Sequence, residues 1–110
     1  MIFNTENNLT IITQEKASVI ELVKKLEVLY TRFKNDNVIV NLSGLKPISE
    51  QEITEFLEIS LKHRASKHSF VVVSNSVNLD NIPDELVVVP SLQEARDIVE
   101  MEEIERDLGF

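Results

Sequence analysis

The only imidazole side chains of the chain, His63 and His68, stand five positions apart. A pair of metal ligands on one helical face needs a spacing of four positions, with a third ligand nearby. The chain has no cysteine that could complete such a site. We therefore expect no metal and no other cofactor, and we expect both histidines to lie exposed on the surface.

Carboxylates are abundant, and a pair of them could act as a general acid and a general base. The pair Glu50 and Glu52, however, falls in the first turn of a predicted helix, where the helix dipole and capping favour acids. Three serines that could be nucleophiles are better explained as helix N-caps: Ser18, Ser49 and Ser91. Gly44 and Gly109 are the only glycines, so the clustered glycines of a nucleotide-binding loop are absent. The sequence therefore predicts a protein that is not an enzyme.

The chain is acidic, with 19 acidic and 11 basic residues among 110 and a net charge of −8. This charge repels nucleic-acid phosphates and anionic lipid, so we expect no nucleic-acid partner and no membrane partner. The basic cluster at 62–68 closes a predicted helix, where cations satisfy the last carbonyls. The alternative is a docking patch for an acidic protein.

No segment has the sequence of a membrane span or a secretion signal. Apolar runs such as 70–73 have four residues, against the roughly 20 that cross a bilayer. The first residues lack a cationic start and a continuous apolar stretch. We expect a cytoplasmic protein with a single domain at 1–110.

Hydrophobic periodicity predicts strands that alternate with helices. Strands are expected at 2–4, 9–13, 38–42, 69–74 and 86–89, helices at 18–34, 49–65 and 91–107, and at most one short helical turn before Pro83. This alternation predicts the α/β class, with a mostly parallel sheet of four to five strands and right-handed crossovers. The first strand is an exposed edge of the sheet, and a homodimer through this edge is a further hypothesis.

The final predicted helix ends in an acidic run at 100–107. We interpret this run as a solvated helix face. The alternative hypothesis is an accessory or structural protein of another kind that uses this acidic helix as its docking surface.

Residues 38–53, with the sequence Val-Ile-Val-Asn-Leu-Ser-Gly-Leu-Lys-Pro-Ile-Ser-Glu-Gln-Glu-Ile, resemble the signature of STAS domains, named for sulfate transporters and anti-sigma-factor antagonists. The Val-rich strand at 70–73 and the sequence Val-Pro-Ser-Leu-Gln-Glu-Ala at 89–95 are similar to later parts of the same family. The resemblance implies a STAS-like (SpoIIAA-like) fold, with three main helices and one short helical turn, over nearly the whole chain. It also implies a non-catalytic regulatory module that binds a protein partner, such as an anti-sigma-factor-like kinase or another regulatory protein.

The family's phosphorylation motif is replaced in this chain. The resemblance places Glu50 at the phosphorylated serine, Ser49 at the preceding Asp and Glu52 at the Gly. Because glutamate cannot be phosphorylated, the usual switch is expected to be absent. Glu50 either imitates phosphoserine in part or simply stabilises the helix N-terminus, and Ser49 remains a possible acceptor. The partner-binding residues implied by the resemblance are Ser43, Gly44, Ser49, Glu50, Gln51, Glu52 and Phe56.

Two further hypotheses remain open. Short bacterial proteins of STAS type that carry the label ribonuclease Z have a looser resemblance to this chain, but that enzyme needs a histidine-rich site for two zinc ions, which two histidines cannot supply. The hypothesis that follows is an accessory or structural protein that is associated with another enzyme and carries such a label without the catalytic motif. A small ligand-binding α/β domain, with its ligand beyond the carboxyl ends of the strands, is the other hypothesis.

Overall fold

A computed structural model describes residues 1–15, 18–45 and 47–109. The strands are β1 (Ile2–Glu6), β2 (Leu9–Thr13), β3 (Asn37–Asn41), β4 (Phe70–Val73) and β5 (Val87–Val89). The α-helices are α1 (Val19–Val28), α2 (Glu50–Thr54), α3 (Leu57–Ala65) and α4 (Leu92–Asp107). Two short 3₁₀ turns cover Tyr30–Arg32 and Leu79–Asn81, the second of them at the place predicted before Pro83.

The strands form one five-stranded sheet in the order of the sequence, β1-β2-β3-β4-β5. β1 and β2 form an antiparallel hairpin, and every later neighbour is parallel. Asn7 supplies the hairpin turn with a φ of 50°, a left-handed conformation that asparagine tolerates better than most residues. The predicted mostly parallel sheet is therefore confirmed.

The sheet separates two apolar layers because successive side chains of a strand point to opposite faces. Ile12, Val40 and Val72 belong to the layer that α1, α2 and α3 cover. Ile39 and Val71 belong to the layer beneath α4. Burial on both faces explains why the central strands have near-continuous apolar sequences.

The first two predicted helices are shorter than expected because each gives way to a tighter turn. The helix predicted at 18–34 ends at Val28, and the following 3₁₀ turn carries Phe33 into the core, where it is 1% exposed.

The helix predicted at 49–65 is divided into α2 and α3. At the division, the N–H of Phe56 donates to the carbonyl of Ile53 at 3.0 Å, a bond of 3₁₀ type. Since residues three apart eclipse one another in a 3₁₀ turn, both side chains enter the core.

The last helix runs the predicted length. Ser91 caps α4 by accepting a hydrogen bond from the N–H of Glu94 at 3.2 Å. In the described ranges, each helix is too short or too polar to cross a membrane.

Candidate functional site

The candidate site is the connection between β3 and α2. Where β3 ends, the side-chain oxygen of Asn41 accepts hydrogen bonds from the N–H and the hydroxyl of Ser43, at 3.1 and 2.7 Å. This local bonding pattern turns the chain out of the sheet, while Leu42 stays buried. Ser43 and Gly44 are left exposed at the carboxyl end of the strand.

Gly44 does not have a steric role in this loop. A β-carbon added there would meet the Cγ of Glu15 at 3.6 Å, which is an ordinary van der Waals distance. The loop therefore does not require glycine at this position.

Ser49 and Glu52 form a complete capping box at the start of α2. The N–H of Glu52 donates to the hydroxyl oxygen of Ser49 at 3.1 Å, and the N–H of Ser49 donates to the carboxylate of Glu52 at 3.1 Å. The Ser49 hydroxyl also donates to that carboxylate, at 3.3 Å. Both polar side chains are thus committed to holding the helix start.

Glu50 lies half-buried between this helix start and the second 3₁₀ turn. Its carboxylate accepts a hydrogen bond from the side-chain amide of Asn81 at 3.2 Å, and its carbonyl accepts one from the Thr54 hydroxyl at 2.7 Å. Nearby, the N–H of Ile48 donates to the Ser76 hydroxyl at 3.4 Å. The segment after β4 therefore braces the acidic end of α2.

The placement of Phe56 corrects one sequence prediction. Its side chain is 0% exposed, and its ring centroid lies 6.4 Å from that of Phe70 in the core. A partner cannot contact a side chain that is buried beneath the helix, so Phe56 supports the site from below. The side chains of Ser43, Ser49 and Gln51 are exposed, and those of Glu50 and Glu52 are half-buried.

His63 was expected on the surface, and this prediction is wrong. It is 0% exposed and lies edge-on to the rings of Phe33 and Phe70. Its Nε2 donates to the carbonyl of Asp36 at 2.6 Å, which leaves Nδ1 to accept from the Tyr30 hydroxyl at 2.8 Å. The sequence does contain a signal for this burial. His63 follows Ile59, which is also buried, by four positions, so the two side chains lie on the same face of the helix.

Burial lowers the pKa of His63, because desolvation disfavours the charged imidazolium; the hydrogen bond to the Asp36 carbonyl opposes this effect. His68 is half-buried and stacks on His63 with ring centroids 5.3 Å apart. Within the described parts of the chain, no three histidine, aspartate or glutamate side chains are grouped as a metal ion requires.

Most of the basic cluster at 62–68 is engaged within the fold. Arg64 pairs with Glu102 at 3.0 Å and donates to the carbonyl of Phe70 at 3.0 Å. The ammonium of Lys62 lies 4.3 Å from the centroid of the Tyr30 ring. These contacts favour the structural interpretation of the cluster over a docking patch for an acidic protein.

The acidic run of α4 is also less free than a solvated face would be. Glu103 accepts hydrogen bonds from the amides of Asn8 and Asn37, at 3.1 and 3.0 Å. Arg106 donates to the side-chain oxygens of Asn37 and Ser69, at 3.1 and 3.2 Å. The end of α4 is therefore fixed to the amino ends of β3 and β4.

Several solved structures are similar to this fold, and they include the following two. One is a structure of the stressosome, described as a signal integration and transduction hub, with a TM-score of 0.62, 16% identity, and coverage of 90% of this chain and 96% of the other. The second is a serine-to-glutamate variant of RsbS from Moorella thermoacetica, with a TM-score of 0.67, 16% identity, and coverage of 90% and 93%. No protein-family model matches the sequence, and no curated protein does.

The two matches define the class of fold. Both are structures of STAS-domain proteins, and each is covered almost completely by this chain. The chain therefore has the STAS fold, as its sequence resemblance predicted.

Proposed function

We propose that this protein is a non-catalytic regulatory module that binds another protein through the connection between β3 and α2. We call this the β3–α2 surface and define it by Ser43, Gly44, Ser49, Glu50, Gln51 and Glu52. The similarity to RsbS and to a stressosome structure supports a role in regulatory assemblies. The observation that carries the proposal is the exposure of Ser43, Gly44, Ser49 and Gln51, beside the half-buried Glu50 and Glu52, at a capped and braced helix start.

The geometry supports recognition because the surface is ordered before any partner arrives. The capping box fixes Ser49 against Glu52, and Asn81 holds the carboxylate of Glu50. A surface that is already ordered loses less conformational entropy on binding. Gln51 projects from this frame as an exposed amide that can donate and accept hydrogen bonds.

The same contacts support a binding role rather than catalysis. The Ser49 hydroxyl donates to a carboxylate and accepts from a backbone N–H, so it is held as a cap. The imidazole of His63, the natural base for a serine, is buried in the core and bonded at both nitrogens. Among the described residues, neither imidazole is thus placed to activate this serine as a nucleophile.

The surface carries a permanent negative charge in our proposal. Glu50 supplies a carboxylate at the position that the family resemblance assigns to a phosphorylated serine. A carboxylate has one charge and two oxygens, whereas a phosphate has a charge of about −1.5 to −2 and three oxygens. Binding would then be constitutive and would not wait for a kinase.

The substitution Glu50→Gln separates the two interpretations of this residue. If the partner contacts the charge, affinity falls while the free energy of unfolding changes little. If Glu50 only stabilises the start of α2, the protein loses about 0.3 to 1 kcal/mol of stability and keeps its affinity. The amide of glutamine can still bond to Asn81, so the exchange removes mainly the charge.

The partner can be identified by cross-linking in extract of the native cell. The photoreactive residue p-benzoylphenylalanine replaces Gln51 in one protein and the exposed Glu105 of α4 in the control. We expect one protein to be joined at position 51 and not at position 105, and we expect Gln51→Lys to weaken its binding after purification. Cross-linking of the same protein at position 105 alone would move the interface to α4 and contradict the proposal.

A further inference from the structure

The face of the sheet beneath α4 is only partly covered. α4 packs mainly on β3, β4 and β5, and it buries Ala95 and Val99 there. On the outer strands, the antiparallel register pairs Glu6 with Leu9 and so directs both side chains to this same face. A groove of about 450 Å³ remains between α4 and the tip of the β1–β2 hairpin. We call it the hairpin groove.

The groove contains an exposed apolar strip. Ile104 lies in its wall and is 53% exposed, while Leu9 lines it half-buried and the buried Val99 closes its base. Exposed apolar side chains are ordinary when scattered singly. Here the exposed Ile104 and the half-buried Leu9 line one concavity, which gives an incoming apolar side chain a place to bury its surface.

The remainder of the lining is strongly acidic. Among the described residues that line the groove, Arg96 is the one with a positive charge. It already pairs with a carboxylate, because it donates to both oxygens of Glu6, at 3.4 and 3.1 Å. Four further carboxylates line the groove: Asp97, Glu100, Glu103 and Asp107.

The four carboxylates differ in their partners, and Asp107 also lines a neighbouring cleft together with Lys67 and Arg106. Asp97 accepts from Gln93 at 2.9 Å, and Glu103 accepts from two asparagine amides. Over the described residues, Glu100 and Asp107 make no hydrogen bond or ion pair with another side chain. The groove therefore combines an apolar strip with an unbalanced negative charge.

We infer that the hairpin groove binds a basic segment of a partner protein, in which lysine or arginine side chains flank an apolar residue. The apolar residue packs on Leu9 and Ile104, and the cations meet Glu100 and Asp107. The acidic helix of a second copy is repelled by the same charges. This site lies apart from the β3–α2 surface and does not depend on it.

Arg96 controls access to one of the carboxylates. Its bond to Glu6 joins α4 to β1 across the groove, with both side chains substantially exposed to solvent. An incoming cation must compete with this internal guanidinium for Glu6. Removing the guanidinium should therefore strengthen the binding of a basic segment.

The test uses a fluorescein-labelled peptide of 12 residues in which lysines flank leucines, and a counterpart in which glutamates replace the lysines. Binding is measured by fluorescence anisotropy at physiological ionic strength, where charges beyond about 8 Å are largely screened. The informative variant is Glu100→Lys. Its control is Glu105→Lys, which changes the net charge equally on an exposed face of α4 outside the groove.

We expect Glu100→Lys to weaken binding of the basic peptide about fivefold or more, Glu105→Lys to change it less than about twofold, and Arg96→Gln to strengthen it about twofold or more. Equal weakening by the two lysine variants would show general attraction to an acidic protein and overturn the inference. Equal binding of the acidic peptide, or weaker binding to Arg96→Gln, would also overturn it. Circular dichroism confirms that each variant is folded, and no outcome bears on Gln51 or the β3–α2 surface.

Discussion

The Tyr30 hydroxyl donates to Nδ1 of the buried His63 at 2.8 Å, while the opposite ring nitrogen donates to the carbonyl of Asp36. This imidazole joins the turn after α1, the turn before β3 and the helix α3 inside the core. The arrangement uses the neutral ring, because one nitrogen must accept and the other must donate. It therefore makes the stability of the fold sensitive to protonation.

Stability should fall when the solution is acidified through the range in which His63 titrates. The unfolded chain has the ordinary histidine pKa of 6.5, and the pKa in the folded protein is lower because burial disfavours the charged ring. Below about pH 6.5 the unfolded state takes up a proton more readily than the folded state, so the free energy of unfolding decreases. Urea unfolding at a series of pH values from about 8 to about 5.5 measures this dependence.

Substitution of His63 tests the source of this effect. His63→Gln should flatten the pH dependence between about pH 8 and pH 5.5. An unchanged pH profile in His63→Gln would show that other groups cause the loss of stability.

Phe56 should contribute to stability and not directly to recognition. Phe56→Ala leaves a cavity beneath α2 and should cost about 3 to 5 kcal/mol of unfolding free energy. Leu61→Ala removes a side chain that is 46% exposed, and it should cost less than about 1 kcal/mol. Chemical denaturation of both variants gives the comparison, and similar small losses would mean that Phe56 is not packed as described.

Asn37 should be another large contributor, although it is polar. Its side-chain oxygen accepts from the N–H of Ser69 at 2.8 Å and from Arg106 at 3.1 Å. Asn37→Ala would leave these donors without that acceptor and should cost about 1 to 3 kcal/mol. Asn4→Ala, at an exposed strand position, is the control. Equal melting temperatures for the two variants would contradict the proposed role of Asn37.

The strands and helices were predictable from the sequence because the apolar spacing and the capping residue that indicate each of them lie within a few residues of one another. The strand predicted at 9–13 has the observed bounds, Leu9–Thr13. Ser18, Ser49 and Ser91 each accept a backbone N–H at a helix start, as predicted for N-caps. The resemblance to STAS domains predicted how these strands and helices assemble into one fold. Self-association through β1, an edge strand of the sheet, stays a prediction.

The contacts that the sequence left undetermined join residues far apart in the chain. The pairing of Arg64 with Glu102 and that of Arg106 with Asn37 depend on how α4 crosses the sheet. The spacing of four positions from Ile59 indicates a buried face of α3 for His63. Its burial depends on Tyr30 and Asp36, which supply its hydrogen-bond partners from other segments.

The most direct test of the β3–α2 surface is the affinity of the protein that cross-links at position 51, measured by isothermal titration calorimetry with purified components. Wild type is compared with Glu50→Lys and with Glu58→Lys, which makes the same charge change at an exposed position of α3. We expect binding to be about tenfold weaker for Glu50→Lys and within about twofold of wild type for Glu58→Lys. Equal affinities for all three proteins would contradict it.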